Sequence, residues 1–71
     1  MHVSQQDFQF MVEDITSDLI CMLVEKQHCT VQQAVDKIYN SHTYNALVRP
    51  ETGLYAQSSG YVFEYLQNEI G

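Results

Sequence analysis

An all-α fold, a small bundle of three main helices plus one short helical turn, is predicted by three observations. Apolar residues recur at helical spacing from Phe8 to Leu23 with no Gly or Pro among them. Thr30 and Gln33 stand three apart, the spacing at which a threonine opens a helix and a glutamine closes the capping box. The only proline and two of the three glycines, Pro50, Gly53 and Gly60, fall close together, so the breaks in regular structure are concentrated in one part of the chain.

The first helix follows a loose start over Met1 to Ser4. Ser4 is a candidate N-cap, and Asp7 sits in the first turn, where negative charge suits the helix dipole. From Gln5, the residues Phe8, Met11, Val12, Ile15, Leu19, Met22 and Leu23 repeat at the i, i+3, i+4, i+7 spacing of one buried face, which predicts a long amphipathic helix to about Gln27. A thinner apolar strip, Phe10, Ile20, Cys21 and Val24, runs along the same helix, with Asp7, Asp14, Asp18 and Glu25 between the two as an acidic stripe. The second strip either packs under the C-terminal helix or forms a subunit or partner interface. The acidic stripe reads as a solvated face.

Thr30 begins the second helix, whose stripe is Val31, Ala34, Val35, Ile38 and Tyr39 and whose end lies near Asn40 and Ser41. The short link at Gln27-His28-Cys29 makes the first two helices antiparallel neighbours. Ser41 or Thr43 can cap a further short piece carrying Tyr44, Leu47 and Val48, and Pro50 biases Arg49 out of helical geometry and ends it. Pro50-Glu51-Thr52-Gly53 fits a tight turn, after which Leu54 and Tyr55 resume apolar contact. Ser58 or Ser59 then caps the last helix, with Tyr61, Val62, Tyr65, Leu66 and Glu69 along one side and Phe63, Leu66 and Ile70 at its other edge. A β-hairpin through Leu54 to Phe63 is set aside because Ser-Ser-Gly interrupts it and no partner strand exists elsewhere.

Seventy-one residues make a single domain, 1–71, and a chain this short buries only roughly 60% of the surface its unfolded form exposes. Such domains often gain stability from a second subunit, so a homo-oligomer, in the simplest case a dimer, is expected. Two cysteines do not make a disulfide framework, no secretory leader pattern opens the sequence, and the longest apolar run, Leu19 to Val24, is too short for a membrane span. A cytoplasmic protein that touches no membrane follows. The formal charge of −6, with Lys26, Lys37 and Arg49 as the only Lys or Arg, excludes the basic patch that binds nucleic acid; it either favours a basic partner protein or, as is commoner, serves solubility alone.

Catalytic and metal chemistry find little support. His28 and Cys29 are adjacent, and His2, Cys21 and His42 are isolated from them, which is not a metal-ligand spacing, so no metal or cofactor is expected. Cys29, at the mouth of the second helix with His28 beside it, is the one candidate for a reactive thiol, against the commoner reading of a small residue packed at a helix junction. Ser58 and Ser59 precede helix N–H groups that could receive an oxyanion, with His42 as the candidate base, yet serines at a helix start usually act as caps. A 71-residue chain also leaves little room for a ligand cavity of a few hundred Å3.

The tyrosines are the remaining signal. Tyr39, Tyr44, Tyr55, Tyr61 and Tyr65, together with Arg49, have the composition of a binding hot spot. Tyr39 and Tyr65 are expected inside. Tyr44, Tyr55 and Tyr61, with Arg49 and the second-strip residues Phe10, Cys21 and Val24, are expected to meet a partner.

The segments ending in IYNS, then TYNAL, then LYAQSSGYVFEYL, resemble a group of small uncharacterised bacterial helical proteins over Thr30 to Ile70, through Tyr44, Leu47, Leu54, Tyr55, Gln57, Tyr61 and Val62. The PETG turn departs from that pattern as an insertion. The resemblance implies an accessory operon protein, in some cases beside toxin-like enzymes, with a non-catalytic and antitoxin-like interaction role. The sequence-based reading is therefore a self-associating protein-binding module that is not an enzyme. Its alternatives are a small enzyme or ligand carrier using Cys29 or the Ser58 helix start, and an acidic nucleic-acid mimic.

Overall fold

The computed structural model describes residues 4–70, and the expected loose start over residues 1–3 lies outside them. Four α-helices follow in order: α1 Gln5–Gln27, α2 Val31–Tyr39, α3 His42–Leu47 and α4 Ser59–Ile70. Two single 3-10 turns, Pro50–Thr52 and Leu54–Ala56, join α3 to α4, and there is no strand among the described residues. The fold is all-α, as the periodicity indicates.

Each boundary has a local cause. Ser4 accepts the Asp7 N–H at 3.1 Å and opens α1. Thr30 and Gln33 form the complete capping box, each side chain accepting the other's backbone N–H at 3.1 and 3.0 Å. Of the two candidate caps for α3, Ser41 takes the role: its hydroxyl accepts the Tyr44 N–H at 3.0 Å and donates to the Ile38 carbonyl at 2.6 Å. Ser58 accepts the Tyr61 N–H and opens α4. His28 ends α1 at φ 56°, a left-handed conformation usually left to glycine, and Gly53 at φ 70° joins the two 3-10 turns.

At about 1.5 Å per residue, α1 extends some 35 Å and sets the long dimension of a molecule measuring 38 × 19 × 18 Å. It is the spine against which the other elements pack. Val12, Ile15, Leu19 and Leu23 of α1 meet Ala34 and Ile38 of α2, Leu47 of α3, and Val62, Phe63 and Leu66 of α4. Tyr55 fastens the second 3-10 turn to the start of α1, its ring edge-on to Phe8 with centroids 4.9 Å apart. At the other end of the spine, Lys26 lies over the Phe63 ring, 5.4 Å from its centroid.

Several expected burials are corrected. In α2 only Ala34 and Ile38 are buried, while Val31 is 61% exposed and Tyr39 52% exposed, because a nine-residue helix lying along α1 hides a narrow face. In α4 the inward face is Val62, Phe63 and Leu66, and Tyr65, expected inside, is 53% exposed. Burying Val62 and Leu66 together with Phe63 rotates Tyr61 and Tyr65 outward, where their hydroxyls need no buried partner. Met11 also lies at the edge of its face rather than within it.

Candidate functional site

Of the eight aromatic side chains, Phe63 lies in the core and Phe8, Tyr44 and Tyr55 pack against it, while Phe10, Tyr39, Tyr61 and Tyr65 stay outside. On α4, Tyr61 and Tyr65 stand one turn apart with ring centroids 5.4 Å apart and hydroxyls 3.5 Å apart. That hydroxyl contact, then the charge of the neighbouring phenol, slight desolvation and the Glu64 carboxylate, push the Tyr61 phenol above its ordinary value. Tyr61 therefore stays a neutral hydrogen-bonding phenol throughout the physiological range.

Beside this pair, α3, the 3-10 turns and α4 enclose an open groove of about 560 Å3. Ala46 and Leu54 supply its apolar surface, Tyr65 and Asn68 its α4 wall, and His42, Thr43, Thr52 and Glu69 its polar edges. A groove of this size was not expected from so short a chain. It arises because α3 is only six residues long and the two 3-10 turns hold the chain away from α4 instead of packing a longer helix along it. Thr52 fixes that path, its single hydroxyl proton shared between the Ala46 and Arg49 carbonyls at 2.6 and 2.9 Å.

Glu69 ties the two sides of the groove together. Its carboxylate accepts the His42 N–H at 2.6 Å, the Thr43 N–H at 2.9 Å and the Thr43 hydroxyl at 2.8 Å. Partial desolvation pulls the Glu69 pKa upward, but the bonds from the His42 N–H, the Thr43 hydroxyl and the Thr43 N–H, together with the nearby His42 charge, outweigh it and leave the pKa below the usual value. The sequence shows Glu69 only as the end of the side that holds Tyr61 and Tyr65. Its partners lie 26 and 27 residues away, beyond the reach of any local pattern.

The sequence-nominated partner residues are dispersed. Phe10, 61% exposed, and Cys21 stand open on the outer face of α1. Val24, from the same strip, is half-buried against the core, as is Ile20. Ile20 shares a cleft with Tyr39 and Tyr44, so this side of α1 faces α2 and α3 and not the C-terminal helix. Tyr44 is half-buried, edge-on to Tyr39 at 4.8 Å, and burial together with Tyr39 raises its phenol pKa. Tyr55 is half-buried on Phe8, Arg49 is exposed at the end of α3, and Tyr61 is 45% exposed. Tyr61 alone of the set belongs to the tyrosine pair of α4, whereas Phe10, Cys21 and Val24 lie on α1.

The residues nominated for catalysis do not come together. Cys29 is buried, and Lys37 Nζ donates to its Sγ at 3.5 Å. His42 bonds through its backbone to Glu69, at the far end of α4 from Ser58, about 16 Å away by helical rise, too far to act as a base on that serine. The start of α4 already faces carboxylates: Ser59 donates to Asp18 at 2.6 Å, and Asp14 borders the same cleft as Ser58. One residue of the acidic stripe thus anchors a helix instead of merely facing water. Among the described residues, no three His, Cys, Asp or Glu side chains converge as a metal site would require, and no helix is long and apolar enough to cross a membrane.

No protein-family model, curated protein or solved structure matches the chain.

Proposed function

We propose that this chain is a non-catalytic protein-binding module that presents aromatic side chains from the outside of a finished helical core. One observation carries the reading: Phe10, Tyr39, Tyr61 and Tyr65 stay outside, although the packed interior is complete without them. Exposing large aromatics to water is unfavourable in a free monomer, and Tyr in particular adds contact area at low entropic cost when a partner covers it. The burial of Cys29 and the separation of His42 from Ser58 weigh against the catalytic alternatives. Self-association through the Phe10 and Cys21 face belongs to this proposal, as does the antitoxin-like role in a bacterial operon that the resemblance over Thr30 to Ile70 implies.

The test is comparative capture from the native host. Immobilised wild-type protein should retain a defined partner that a Phe10→Ser/Tyr61→Ser/Tyr65→Ser variant of unchanged circular dichroism loses. Equal capture by the two proteins would reject the reading. Were the chain instead an acidic mimic, retention would depend on ionic strength and survive loss of the aromatics.

A further inference from the structure

We infer that the groove between α3 and α4 is the docking site for a short extended segment of a partner in which arginine or lysine alternates with an apolar residue. This rests on the protein-binding reading above and adds to it a location and a ligand chemistry. The argument begins with shape. The groove of about 560 Å3 continues past Tyr65 and Asn68 into a second open cleft of about 350 Å3 bordered by Tyr61 and Glu64. The two share a wall, so they form one surface along α4. From Tyr61 to Glu69 that wall runs about 12 Å by helical rise, the length of roughly four extended residues.

Charge then selects the occupant. With histidine counted as neutral, the side chains of formal charge that line either cleft are Glu64 and Glu69, both acidic; the His42 imidazole stands at one polar edge, and no Lys or Arg borders them. Lys26 is held over Phe63 on the inward side of α4, Lys37 lies against Cys29, and Arg49, exposed beyond α3, is not among the lining residues. The two carboxylates are not equivalent. Glu69 already receives three donors from α3, whereas Glu64 is exposed beside the tyrosine pair and free to meet a cation. A cation flanked by a tyrosine face and a carboxylate is stabilised by the ring quadrupole and by charge-assisted hydrogen bonds. Ala46 and Leu54 offer an apolar seat for the neighbouring residue of the same segment. The net charge of −6 would speed the approach of such a segment at low salt.

The experiment is an NMR titration of the 15N-labelled protein with a blocked tetrapeptide of alternating arginine and leucine, and with its glutamate–leucine counterpart, each at millimolar concentration. The arginine peptide should shift the amides of Ala46, Leu54, Tyr61, Tyr65 and Asn68 along a saturating curve, and the glutamate peptide should not. Affinity should fall about tenfold in Glu64→Lys, where attraction becomes repulsion, and several-fold in Tyr65→Ser. Both positions are exposed on α4, and thermal melts of the two variants check that the fold is kept. Equal response to both peptides, no response to either, or unchanged affinity in both variants would overturn the assignment. Shifts confined to the Phe10 and Cys21 face would also overturn it while leaving the protein-binding reading intact, and that reading fails separately if capture is indifferent to the aromatics.

Discussion

Replacing Glu69 by alanine removes the link between the last turn of α4 and the first turn of α3. Three donors lose their acceptor: the N–H groups of His42 and Thr43 and the Thr43 hydroxyl. Loss of a side chain that caps a helix start costs about 0.5–2 kcal/mol. Glu69 and His42 are exposed, so water replaces part of what is lost, while Thr43 is buried and recovers less. The net expectation is about 1 kcal/mol, which for a domain of this length lowers Tm by about 4–8 °C. Glu64→Ala, five residues earlier and exposed on α4, is the control and should stay within about 0.5 kcal/mol of wild type. Thermal melts followed by circular dichroism give both values.

The pH dependence of that gap follows from the same contacts. The folded Glu69 pKa lies below its unfolded value, so the contribution is fully present above the unfolded pKa of about 4.3 and disappears as pH falls through the lower folded pKa. The Tm difference between wild type and Glu69→Ala should therefore be constant near neutrality and close in acid. Equal melts for Glu69→Ala and Glu64→Ala at neutral pH would refute the reasoning, as would a gap that stays undiminished at about pH 2.

Two further outcomes are expected. His28→Gly should stabilise the chain by about 0.5 kcal/mol, since it relieves a left-handed residue at some cost in unfolded-state entropy, whereas His28→Val should destabilise it by about 1–2 kcal/mol; denaturant unfolding reads the difference. Sedimentation equilibrium should find wild-type protein heavier than a single chain at high concentration and Phe10→Asp at the single-chain mass, and a wild type that stays monomeric throughout removes self-association from the proposal.

Local chemistry was legible from residue types alone. Ser4 and Thr30 act where their spacing to the next helix places them, Ser58 takes the cap that it or Ser59 could have supplied, and the long face of α1 follows from its period. Ser41 is one of two candidates, and the start of α3 at His42 puts Ser41 at the N-cap and Thr43 inside the first turn, where its hydroxyl donates to Glu69. The rotation of α4 was not legible, because Val62 and Leu66 fit a stripe with Tyr61 and Tyr65 nearly as well as one with Phe63. Only contact with α1 distinguishes them. Tyr39 was misplaced for a related reason: Ala34 and Ile38 fill the available contact, and the tyrosine at the end of α2 falls outside it. The groove is farthest from local pattern, since it depends on how far two 3-10 turns hold α3 from α4.

Tyrosine footprinting would test most directly whether the exposed aromatics exist to be covered. Nitration of the free protein, mapped by mass spectrometry, is expected at Tyr39, Tyr61 and Tyr65 ahead of the half-buried Tyr44 and Tyr55. In the complex with the captured partner, Tyr61 and Tyr65 should be protected. Resistance of Tyr61 and Tyr65 in the free protein, or the same nitration pattern with and without the partner, would contradict the proposed role.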